Sequence, residues 1–156
     1  MSSQKGISIV EVVIYLGLTI TGFWGFLELS RYSLRVQEEA GSKIESLYLA
    51  NEALEAVRSI KDEDWDKIGY GERHLMIASN KWEIGPGRSG FLINGKYERW
   101  IDIGGVHRDG SGNIVFEPNM PSDPQSRSVV AIVEWTERGK TKQTILATYI
   151  TNWREE

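Results

Sequence analysis

The sequence predicts an α+β fold: one long N-terminal helix packed on a small antiparallel β-sheet head. Three observations carry this expectation. An apolar run from Ile7 to Leu27 contains a single charged residue, Glu11. Beyond it apolar residues recur at three- and four-residue steps, with no proline before Pro86. After residue 61 the period falls towards two and glycine-rich turns appear, the pattern of strands and hairpins.

The apolar run comprises about 21 residues and as a helix spans roughly 31 Å, the thickness of a bilayer's hydrocarbon core. A carboxylate in such a span costs on the order of 2.5–3.5 kcal/mol on insertion scales and normally has a partner. Glu11 is therefore the first residue to explain. The run does not read as a secretory signal: it is too long, the first alanine is Ala40, and Glu28, Arg31 and Arg35 follow it directly. It reads as a retained membrane anchor. Lys5 precedes it, so the N-terminus is expected to stay cytoplasmic and the remainder to be translocated.

The helix is expected to continue to about Ile60, roughly 80 Å in all at about 1.5 Å per residue. Val36, Ala40, Ile44, Leu47, Ala50, Leu54 and Val57 form the expected stripe against the head. Glu38, Glu39, Lys43, Glu45, Glu52, Glu55 and Arg58 mostly take the other faces. The resulting division is 1–6 before the helix, 7–61 helical with 7–27 in the membrane, and 62–156 a β-rich head.

In the head, a charge-rich junction from Lys61 to Asp66 ends the helix. Strands are expected at His74–Ala78, Lys81–Ile84, Tyr97–Ile103, Asn113–Phe116, Ser128–Thr136 and Thr141–Thr151, the last two joined by a tight Glu137-Arg138-Gly139-Lys140 hairpin. On Ser128–Thr136, Val129, Ala131, Val133 and Trp135 share one face. Gly85-Pro86-Gly87, Gly104-Gly105, Asp109 to Asn113 and Pro118 to Pro124 read as loops.

Composition narrows function. The net charge of -4 argues against a nucleic-acid-binding surface. The absence of cysteine removes disulfides and thiolate metal sites. Asp109, Ser111 and Asn113 have the spacing of the first calcium ligands of a helix–loop–helix site, but Ile114 stands where glycine belongs and Met120 where the closing glutamate belongs. A plain turn is expected. His74 and His107 lie in unrelated segments, without a serine or acid at motif spacing. Acid pairs such as Glu38-Glu39 read as solvated helix faces. Trp65, Trp82, Trp100, Trp135 and Trp153 read mainly as core, with an adhesive or sugar-binding platform as the rival. No catalytic residue, metal or cofactor is expected, and an enzyme with an unrecognised site is the weaker rival.

Lys5-Gly6-Ile7-Ser8-Ile9-Val10-Glu11 resembles the processing site of type IV prepilins and pseudopilins. The shared features are a short basic leader ending in glycine, an apolar residue, then a glutamate five positions into the mature chain. The segment from Leu49 to Arg58 is similar to the helix end of many minor-pilin-like proteins. The motif covers about seven residues, and the helix extends the resemblance to about sixty.

The resemblance implies cleavage between Gly6 and Ile7 by a membrane-embedded prepilin peptidase, N-methylation of Ile7, and assembly of subunits through their bundled helices. Glu11 would then meet the Ile7 amine of a neighbouring subunit. It implies a minor pilin or pseudopilin, a single-pass membrane protein that enters an extracellular or periplasmic filament with other pilin subunits. A pilus, a secretion pseudopilus and a DNA-uptake fibre all fit these residues. The family's frequent helix-breaking proline is absent, and Gly17, Gly22 and Gly25 could serve instead, by local melting or close helix approach. Its common C-terminal disulfide is absent too. The alternative is a monomeric membrane-anchored binding or adhesion module, for which Gly6 would have no role.

Overall fold

A computed structural model of the 156-residue chain describes residues 8–115 and 121–153. The fold is α+β, as the sequence predicts: one long helix, α1 (Ile9–Glu63), followed by a seven-stranded antiparallel sheet. The strands are β1 (Gly71–Ala78), β2 (Lys81–Pro86), β3 (Leu92–Ile93), β4 (Tyr97–Arg108), β5 (Ile114–Val115), β6 (Ser122–Glu137) and β7 (Lys140–Thr151). The chain divides into two compact units, Met1–Ser42 and Lys43–Glu156.

The first unit is helical from Ile9 onward. It contains a window long and apolar enough to cross a membrane, none of it buried within the protein. The helix is unbroken at Gly17, Gly22 and Gly25. Each of these glycines has open space where a Cβ would lie. The hydroxyls in this stretch bond within their own helix: Thr19 to the Tyr15 carbonyl, Thr21 to that of Gly17 and Ser30 to that of Phe26, at 2.7–3.0 Å. Such back-bonding to the preceding turn leaves few unmet donors on the helix surface. Glu28 and Arg31 pair at 3.0 Å where the apolar run ends.

In the second unit α1 lies on the sheet. Its packed stripe is Ser46, Ala50, Ala53, Val57 and Ile60, all buried. This corrects the expected stripe. Ala50, Leu54 and Val57 are buried as anticipated and Leu47 partly so, but Val36, Ala40 and Ile44 are exposed. Small residues win because they let the helix backbone come close to the sheet. Ser46 is accommodated by a hydroxyl–hydroxyl bond of 2.5 Å to Thr144 on β7, and Lys43 donates to the same Thr144 oxygen at 3.1 Å. Buried hydroxyls are tolerated when paired this way. Towards the helix end larger apolar groups take over, with Val57 and Ile60 against Ile68, Ile103 and Val129 in one core cluster.

The sheet order is β2-β1-β4-β6-β7, with β3 and β5 also paired to β4. Period-two alternation sets the inner face: Tyr97, Ile101 and Ile103 of β4 oppose Trp135, Ala131 and Val129 of β6, and all six are buried. The β6–β7 hairpin turns at Arg138 and Gly139, whose φ values of 53° and 74° define a tight turn of the kind that matches strand twist.

Other strand bounds differ from expectation. Gly104-Gly105 is not a loop; both residues lie inside β4, at an irregularity where Gly105 opposes Arg127 but Val106 opposes Asp123. Three residues of β6, Pro124 to Ser126, are thus extra, and the bulge admits a proline that lacks a ladder N–H. β6 consequently begins at Ser122, inside the segment expected to be a loop. β3 was not anticipated at all. Of the expected Asn113–Phe116 strand, Ile114 and Val115 pair with β4 while Phe116 lies outside the described residues. Trp100 and Trp135 are buried, Trp65 and Trp82 are partly buried against the core, and Trp153 is exposed.

Candidate functional site

Gly6 and Ile7, the residues of the expected cleavage site, lie outside the described residues. Glu11 stands in the first turn of α1, exposed along with the apolar residues around it. Its carboxylate accepts a hydrogen bond from Tyr15 Oη, 3.1 Å from Oε1. The two residues are four apart, on one helix face, where side chains meet. Sequence reasoning missed this bond, although the spacing of four was available to find it.

In the head, Glu45 on α1 accepts from Asn94 Nδ2 at 2.9 Å and from Tyr97 Oη at 2.8 Å. These two bonds, the Asn94 one first, hold its carboxyl below the usual glutamate range. Glu63 is likewise lowered, chiefly by its hydrogen bond and ion pair with Lys81 at 2.7 Å. Arg99 of β4 pairs with Glu52 of α1 at 2.5 Å, with the arginine side chain only 7% exposed. Helix and sheet are therefore joined by polar clamps at Thr144, Tyr97 and Arg99 as well as by the apolar core.

The titratable groups singled out in the sequence do not come together. His74 Nδ1 lies 3.2 Å from the carbonyls of both Pro86 and Gly87. Both partners are acceptors, so the neutral ring carries its proton on Nδ1. The ring lies close against Gly85, where a Cβ would come within 2.2 Å of it. His74 thus pins the end of β2. His107, expected in a loop, is instead in β4 opposite Ser122. Neighbouring Arg108 holds Asp123 at 2.6 Å, and that bond is the first cause of the lowered Asp123 carboxyl.

Asp109 closes its own loop, accepting from the backbone of Ser111 and Asn113 and from Asn113 Nδ2. These bonds form a turn that engages both carboxylate oxygens of Asp109. Among the described residues no group of three or more His, Asp or Glu is placed to hold a metal. The chain matches no family model, no curated protein and no solved structure.

Proposed function

We propose that the chain is a membrane-anchored subunit of a helical filament, structural rather than enzymatic. More narrowly, it is a minor pilin or pseudopilin, made with a leader of residues 1–6, cut by a prepilin peptidase between Gly6 and Ile7, and methylated on Ile7. The observation that carries this reading is Glu11, five residues beyond Gly6, at the head of a 55-residue helix whose far end packs on an antiparallel sheet.

The physics supports it. Cleavage creates an amine on Ile7 in the apolar stretch that holds the Glu11 carboxylate, and charges in such surroundings are tolerated when paired. A neighbouring subunit's amine pairs with Glu11 only in an assembled bundle, so the acid favours assembly in register over solitary residence in lipid. The N-terminus stays cytoplasmic before assembly, and the head lies on the far side of the membrane.

Two variants test the reading. Gly6→Ala should leave a full-length form in the membrane, and normal shortening of that variant would contradict processing. Glu11→Leu should insert normally yet be absent from isolated filaments; wild-type incorporation would remove the role given to the acid.

A monomeric anchored binding module is the second reading, favoured by the apolar side chains that the head exposes at Ile77 and Phe91. On that reading Gly6→Ala is silent.

A further inference from the structure

The head contains an open slot between two strands. β1 pairs with β4 only at Gly71, Glu72 and Arg73; beyond Arg73 its strand partner is β2 alone. Further along β4, on Tyr97 and Glu98, the neighbour is β3, which pairs with nothing else. The sheet therefore forks. Between the tines lies a cleft of about 470 Å³, in the range of roughly 300–1,000 Å³ typical of ligand sites.

Four consecutive residues of β1, His74 to Ile77, line this cleft. Successive side chains of a strand point to opposite faces, so four in a row can border one cavity only if it runs along the strand's edge. The backbone bonding agrees. Gly87 N donates to the Glu72 carbonyl at 2.9 Å, so by alternation Glu72, His74, Met76 and Ala78 turn their backbone groups towards β2. The N–H and C=O of Leu75 and Ile77 are left facing the cleft.

An unpaired edge of this kind is normally blunted with charge, proline or a bulge. Here its flanks are apolar: Ile77 is 65% exposed and Phe91 72%, with Trp82 and Ile93 deeper in. Arg99 supplies the polar contribution. Its Nη1 makes both of its hydrogen bonds, to the Leu49 carbonyl at 3.2 Å and to Glu52 at 2.5 Å. Nε and Nη2 make none among the described residues. Glu52 stands about half in solvent (49% exposed), and the guanidinium carbon of Arg99 lies 5.5 Å from the centroid of the Trp82 ring.

From this geometry we infer that the cleft is a strand-addition site. It takes an extended segment of a partner protein, apolar at alternate positions and carrying one carboxylate for the free edge of Arg99. β1 and β3 both run antiparallel to β4, so one inserted strand can be antiparallel to both. Backbone bonds to Leu75 and Ile77 supply affinity and the apolar walls select side chains, the usual division in such complexes.

The test uses the full chain in detergent micelles and labelled seven-residue peptides alternating Val with Thr, with one Asp moved through the positions. At least one peptide should bind and slow amide exchange at Leu75 and Ile77 by tenfold or more. Ile77→Lys, at an exposed position whose folding is checked by circular dichroism, should weaken binding at least tenfold. N-methylating the amides of the bound peptide that face β1 should abolish binding. No binding by any peptide at millimolar concentration, or equal binding after N-methylation, would overturn the inference. So would protection of the same amides on raising the protein concentration alone, which would assign the slot to a second copy of the chain.

Discussion

The Tyr97 hydroxyl donates to Glu45 Oε2 at 2.8 Å, tying a fully buried ring on β4 to a carboxylate on α1. Asn94 completes the contact on Oε1, so a turn of the sheet and the helix share one acid. Tyr97→Phe removes a hydrogen bond to a charged group without opening a cavity. It should lower stability by about 1–3 kcal/mol, read as a shift in the denaturation midpoint.

The same contact sets a pH dependence. The folded Glu45 carboxyl lies below its ordinary value of 4.5, so the unfolded chain takes up its proton first as pH falls. Its contribution is present above pH 4.5 and is lost as pH drops through the lower folded value. Wild type and Glu45→Gln should differ in stability at pH 7 and converge only once the pH has fallen through the lowered folded value of Glu45. A constant gap across that range would contradict this origin.

The small-residue stripe of α1 sets how near the helix lies to the sheet. Ala53 is fully buried there, whereas Ile44 is 54% exposed. Ala53→Leu should cost about 1–3 kcal/mol by overpacking, and Ile44→Ala should stay within about 0.5 kcal/mol of wild type. Thermal unfolding followed in the head measures both.

Glu11 has a resident donor in Tyr15. If Glu11 sits in lipid, Tyr15→Phe strips that donor from a carboxylate with few others nearby. Membrane insertion, scored as the inserted fraction of the full chain, should fall several-fold in the wild-type background. In a Glu11→Gln background the same substitution should have a much smaller effect. Equal losses in both backgrounds would show that Tyr15 acts independently of the acid.

How much of this was legible in the sequence follows the range of the interactions. The apolar N-terminal run, Glu11 and the Arg138-Gly139 hairpin are local features, and composition or turn chemistry reveals them. Asn94-Gly95 is an equally local signal and marks the β3–β4 turn, yet β3 has only two residues and no alternation to read. The helix stripe was misplaced because period 3.6 fits two neighbouring stripes. Which one is buried depends on Thr144, 98 residues away, being present to receive Ser46. The strand extension through Pro124 depends on the bulge opposite Gly105, and the Arg99–Glu52 pair on α1 lying over β4. None of these is encoded within a single window of sequence. The forked sheet behind the cleft is tertiary in the same sense.

We propose that the chain becomes a filament subunit by cleavage after Gly6, which frees a partner for Glu11. Intact-mass and N-terminal peptide mass spectrometry of the protein recovered from its native membrane and filament fraction tests this most directly. The account predicts a chain beginning at Ile7, with one methyl group on its amine. A mature protein that still carries residues 1–6 would contradict it.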